Sequence, residues 1–300
     1  MAISHRIIQQ ALVSNGYTLD PERLGWLTPS DPGEPMERLR AQYDAQGYLW
    51  LKGLLDRAFV LDFRARFFEA YRSLGLLAEG SAAVEGLYSG NAIDSQVGTR
   101  LLLEIVRWAS YEAFCLAEPI WSFYEALWGE PVYLHKRKII RYTTNAQKDS
   151  TGAHYDLTYL RAGTDRLATS WIPIGDIPVE MGGLIYLEGS DRWGRAQEAE
   201  FSRLNANLSP EERISAYNKN MSETGWLTKD LPSLVKRLDT RWLIADYEVG
   251  DMVVHSPYMI HAATTNLSQT MRLSTDIRYQ PVREKIDPRW MSDWQIDDRL

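Results

Sequence analysis

Met271-Arg272-Leu273-Ser274-Thr275-Asp276-Ile277-Arg278-Tyr279 alternates in polarity, which predicts a β-strand with one apolar face. Met271, Leu273, Thr275, Ile277 and Tyr279 fall on that face, while Arg272 and Ser274 project together from the other. Working back along the chain, 252–255, 242–247, 183–187, 167–174 and 132–142 read as further strands. Before Gly129 the period is helical instead. Met36, Leu39 and Tyr43 share a face that Gly47 ends. After a short strand at 48–55, Asp56 caps a helix in which Phe59, Phe63, Phe67, Tyr71 and Leu74 line one side. Residues 79–100 read as a long loop. Two helical stretches follow, the second with Pro119 in its first turn.

Helices first and strands second give a mainly β chain with flanking helices, of α+β type, in which short strands close a jelly roll. One domain is expected over 1–300, with its core at 47–279. The first 33 residues carry few signals. Residues 191–241 turn polar and helical between two strands, and Ser209-Pro210-Glu211-Glu212 offers a capping box. Such an insertion is either a lid or wall over a site, or a helix pair packed outside the sheet.

Composition narrows the partners. Lys and Arg number 33 against 40 Asp and Glu, a net charge of −7, so nothing draws the whole chain to nucleic acid or an anionic membrane. The densest basic run is His135-Lys136-Arg137-Lys138. Cys115 is the only cysteine, which rules out an intrachain disulfide and a cysteine-based zinc site. Neither a signal peptide nor a membrane span is evident, and the expected location is cytoplasmic. The expected partner is a small-molecule substrate, with a homodimer as the candidate assembly.

Among five histidines, His154 lies two residues before Asp156, so in extended chain both point one way. Two imidazoles and one carboxylate on one face of Fe(II) leave three positions open, the arrangement of non-haem oxygenases. His-X-Asp alone is weak, and a surface pair is the commoner meaning. Downstream, His255 and His261 compete for the third place, and His261 is favoured because Arg272 follows it by eleven residues. A guanidinium at the inner end of a strand suits the far carboxylate of a dicarboxylate, with the Ser274 hydroxyl beside it. The bland alternative for Arg272 is a solvated charge on an edge strand.

Together His154-X-Asp156, His261 and Arg272-X-Ser274 resemble the phytanoyl-CoA dioxygenase family of Fe(II)/2-oxoglutarate oxygenases. The segments at 47–55, 171–174 and 181–190 resemble its opening strand, its central strands and the turn after them. The resemblance implies a double-stranded β-helix, a jelly-roll variant related to cupins. It makes His154, Asp156 and His261 the iron ligands, and it gives 2-oxoglutarate to Arg272 and Ser274. Trp171 would pack beside metal and co-substrate, and Lys138 or Arg141 would supply a further co-substrate contact. Dioxygen would be the oxidant, and the substrate a small specialised metabolite that is hydroxylated, desaturated or rearranged. A fatty acyl-CoA substrate is the alternative, supported only if the run at 135–138 faces the pocket. A catalytically silent jelly-roll binding protein is the rival from outside enzymology. The sequence departs from the family pattern at Asp191, where the usual turn carries histidine, and in the long interval between Asp156 and His261.

Overall fold

The computed structural model describes residues 10–222, 225–295 and 298; His5, expected in a terminus without a role, lies outside them. In chain order the strands are β1 (Val13–Ser14), β2 (Tyr17–Thr18), β3 (Leu24–Trp26), β4 (Pro29–Ser30), β5 (Tyr48–Leu51), β6 (Val132–Leu134), β7 (Ile139–Thr143), β8 (Ala168–Pro173), β9 (Leu184–Leu187), β10 (Trp242–Ile244), β11 (Met252–His255), β12 (His261–Ala263) and β13 (Arg272–Pro281). The helices are α1 (Met36–Gln46), α2 (Arg57–Tyr71), α3 (Ser95–Ile105), α4 (Ala109–Cys115), α5 (Glu118–Trp128), α6 (Leu157–Leu160), α7 (Asp191–Leu204), α8 (Pro210–Ser222) and α9 (Leu231–Arg237).

Two sheets face each other. The larger runs β4-β5-β11-β8-β13-β6, with β7 also on β13, and the smaller runs β12-β9-β10-β3. Side-chain alternation sends the residues of each strand to opposite layers. Leu273, Ile277 and Tyr279 on β13, with Met252 and Val254 on β11, meet Phe63, Phe67, Tyr111 and Phe114 of the helices in one core. Ile185, Leu187, Trp242 and Ile244 cover the outer face of the small sheet with α9. Between the sheets lies a third cluster, including Trp50, Trp171, Tyr186 and Tyr247. No described helix is long and apolar enough to cross a membrane.

Local chemistry explains most boundaries. Gly47 ends α1 in the left-handed region, at φ 76°, where a side chain would be strained. The Asp56 carboxylate caps α2 by accepting from the Phe59 amide at 2.8 Å. Ser209 and Glu212 form the reciprocal capping box ahead of α8. Three expectations change. The 132–142 strand is two strands, β6 and β7, broken after Leu134. The loop at 79–100 ends early, because Asp94 accepts from the amides of Gln96 and Val97 and starts α3 at Ser95. Residues 10–33 carry strands where few signals were read: β3 pairs parallel with β10, and β4 parallel with β5.

Candidate metal and co-substrate site

His154, Asp156 and His261 meet between the sheets. Their ligand atoms all lie within 4.8 Å of one another, and all three residues are buried. A short antiparallel bridge sets the spacing: the His154 amide donates to the His261 carbonyl at 3.0 Å, and the His261 amide returns the bond at 2.9 Å. The sequence achieves this by placing small residues around the crossing. A Cβ on Gly152 would come within 2.8 Å of the Trp226 ring and 3.0 Å of the Thr228 carbonyl. So Gly152 makes room for residues 226–228 of the 191–241 insertion. That segment pairs alongside through Ala153, which donates to the Thr228 carbonyl and accepts from the Leu227 amide.

Both imidazoles are set up as ligands. Nδ1 of His154 is 2.9 Å from the Gly152 carbonyl, and Nδ1 of His261 is 2.9 Å from the Met259 carbonyl. A carbonyl can only accept, so each Nδ1 carries the proton and each Nε2 keeps its lone pair. Burial pushes His154 down to about 4 and His261 well below the usual histidine range, so both rings are neutral at neutral pH. Asp156 behaves oppositely. Burial alone would raise it, but Arg278, His255 and His261 outweigh burial and hold it ionised.

Sequence reasoning found the triad and missed the clamp around Asp156. Thr169 donates its hydroxyl to Oδ2, and His255 Nε2 lies 3.4 Å from the same oxygen. His255 Nδ1 is 3.0 Å from the Tyr186 hydroxyl, so a chain runs from Tyr186 through His255 to the carboxylate. His255 is thus behind the triad rather than in it, as expected of the competing histidine. Arg278 Nη2 sits 3.2 Å from Oδ1, its guanidinium stacked 4.6 Å over the Trp290 ring. The signal for Arg278 was present: it continues the alternation that starts at Arg272, three same-face positions further on.

The remaining predicted residues separate. A cavity of about 1140 Å³ opens over the triad, and Arg272, Trp171 and Arg141 all line it. Arg272 is buried, and Nη1 donates to the Gly182 carbonyl at 2.6 Å. Burial pulls its pKa down to about 10. Arg272 Nε and Ser274 Oγ are buried without any partner. Two orphaned donors side by side, one cationic, fit a bound carboxylate. Trp171 lies on β8 opposite Asp276, with its ring 4.6 Å from that of Tyr247. Lys138 is not brought to the cavity. It falls in the break between β6 and β7, is buried, and pairs with Glu112 of α4 on the helix side. His135, at the start of the same basic run, is also buried, with Nε2 2.8 Å from Gln280 Oε1; burial pushes it down to about 4. The basic run therefore presents no continuous patch. At the departure from the family turn, Asp191 accepts from Ser256 and from Arg195. That role is structural.

The comparisons with known proteins agree with this geometry. The phytanoyl-CoA dioxygenase (PhyH) family profile matches residues 43–274. A 1-deoxypentalenic acid 11-beta-hydroxylase of Streptomyces exfoliatus is 26% identical over 265 residues, covering 84% of this chain and 82% of the relative. Among solved structures, the non-heme alpha ketoglutarate dependent carbocyclase SnoK from nogalamycin biosynthesis superposes with a TM-score of 0.55 at 19% identity. That match covers 87% of this chain and 90% of SnoK. The epimerase SnoN, solved with Fe3+, alpha ketoglutarate and nogalamycin RO, gives 0.53 at 22% identity over 88% of this chain and 93% of its own. These two likenesses establish a shared architecture. With the profile spanning most of the 300 residues, and both halves of the motif inside or at the edge of one cavity, the chain belongs to the phytanoyl-CoA dioxygenase family.

Proposed function

We propose that this protein is a non-haem Fe(II)/2-oxoglutarate-dependent oxygenase that hydroxylates a small specialised metabolite. One observation carries the reading: three neutral-or-anionic ligand atoms within 4.8 Å of one another share a cavity with a buried guanidinium whose Nε has no partner. His154, Asp156 and His261 hold the metal, and the two facing sheets are the halves of a double-stranded β-helix within a single domain. Arg272 and Ser274 hold the distal carboxylate of 2-oxoglutarate, while Trp171 walls its side of the cavity. Iron and the keto acid together couple dioxygen to substrate oxidation: the keto acid leaves as succinate and CO2, and a C–H bond becomes C–OH. The chain's own part is to keep both histidines neutral, fix the carboxylate from behind, and exclude water from the reacting carbon. Residues 226–228 of the insertion act as a wall beside His154.

By their names, one relative hydroxylates 1-deoxypentalenic acid and a structural neighbour belongs to nogalamycin biosynthesis, which favours a small metabolite over an acyl-CoA. The burial of His135 and Lys138 removes the support for a CoA phosphate site. Succinate formation from 2-oxoglutarate under Fe(II) and air tests the reading, since a binding protein yields none. Arg272→Ala weakens 2-oxoglutarate binding by about 1.5–3 kcal/mol, the value of a hydrogen bond to a charged group. Unchanged affinity in calorimetry would point to a metalloenzyme that works without the keto acid.

A further inference from the structure

The charges gathered over the triad do not cancel. Taking the oxygenase reading as the starting point, Fe(II) brings two positive charges, and Asp156 with 2-oxoglutarate brings three negative. Arg272 answers the one left over. Two guanidiniums then share one buried carboxylate: Arg141 first, and Arg278 after it, favour the ionised form of Asp276, which burial opposes. Arg278 is already paired with Asp156, which leaves Arg141 as the guanidinium outside any ion pair among the described residues. It stands on β7 across from Ser274 and lines the cavity. Nη1 reaches the Thr151 hydroxyl at 3.3 Å, and no carboxylate among the described residues pairs with it.

The wall beside it is apolar. Ile139 shares the Arg141 face of β7, and Tyr159, Trp226 and Trp290 continue the lining past the metal. Trp226 is held there by its fit against Gly152, and Tyr159 by its ring 5.7 Å from that of His154. An exposed guanidinium at the edge of an aromatic slot is a receptor for an anion carried on a hydrophobic body.

We infer that the substrate is an apolar, ring-sized monoanion whose carboxylate is bound by Arg141 while its hydrocarbon body lies against Tyr159 and Trp226. The probes are 2-naphthoate and its uncharged counterpart 2-naphthylmethanol, titrated calorimetrically at low salt into protein loaded with Mn(II) and 2-oxoglutarate under argon. The acid binds tighter than the alcohol by about tenfold or more, as a charge-assisted contact requires. Arg141→Gln abolishes that preference and leaves 2-oxoglutarate affinity and the melting temperature unchanged, while Arg141→Lys retains part of it. Equal binding of acid and alcohol to the native protein overturns the proposal. So does an Arg141→Gln variant that keeps the preference but loses 2-oxoglutarate, which would make Arg141 a co-substrate contact. Repeating the titration without metal separates the two readings. If Mn(II) and 2-oxoglutarate fail to bind but the Arg141-dependent preference persists, the oxygenase reading falls and the anion site stands.

Discussion

On β13 the side chains turned toward the helices are Leu273, Thr275, Ile277 and Tyr279; those turned toward the small sheet are Arg272, Ser274, Asp276, Arg278 and Gln280. The helix side is complete. Its few polar atoms find partners: Thr275 donates to the Ile139 carbonyl, Tyr279 to the Cys115 carbonyl, and Tyr124 meets the Ser170 hydroxyl. The other side is left unfinished. Of the buried side-chain polar atoms without a partner among the described residues, all but Ser30 Oγ belong to residues on or behind it: His135, Thr143, Arg272, Ser274 and Arg278. Buried polar groups are normally satisfied, so a one-sided deficit within a single sheet marks the surface that ligands complete. One face supplies stability and the other spends it on binding.

Substitutions on the two faces separate these contributions. The largest effect comes from the inner side. His261→Gln removes iron binding and brings turnover to background, yet the metal-free protein unfolds within about 1 kcal/mol of the native one. A large drop in the urea midpoint would erase the contrast. From the opposite side, Phe67→Ala in the helix core costs about 3–5 kcal/mol of stability. The folded fraction keeps its affinity for 2-oxoglutarate, measured by calorimetry.

A subtler inner-face change tests the clamp on Asp156. His255→Ala weakens metal binding by about 10- to 100-fold, as loss of groups that orient a ligand does. Tyr186→Phe, one step further out, has a smaller effect in the same direction; the reverse order would break the chain from Tyr186 to Asp156. The smallest effect concerns pH. The folded pKa of His135, about 4, lies below its unfolded value. Its contribution is therefore full above the ordinary histidine pKa and declines as pH falls from about 6.5 toward 4. His135→Gln loses less stability than the native protein across that window, read as urea midpoints at fixed pH. Equal losses would show that His135 is not strained by burial.

What could be read from the sequence followed period and spacing. β8, β9, β11 and β13 announce themselves by composition and alternation, and the phenylalanines of α2 by their four-residue recurrence. His154 and Asp156 were legible because they stand two residues apart, and His261 because Arg272 follows it by eleven. β3 and β4 were not, because strands of two or three residues carry no period, and β3 takes its partner from β10 at the far end of the chain. Lys138 was assigned to the wrong side for a similar reason: the break after Leu134 resets the alternation that would have placed it. Arg278 and Thr169 were visible as residues but not as partners of Asp156. Only the register of β13 against β8, which sets Arg278 opposite Thr169, joins them.

The reciprocal bridge between His154 and His261 also orders events during synthesis. The first imidazole and the aspartate emerge from the ribosome long before the second imidazole, and β9, the strand that seats β12, waits alongside them. Until residue 263 has left the exit tunnel, a nascent chain offers iron only two of the three side chains. A chain that stops before His261 lacks the third side chain of the set.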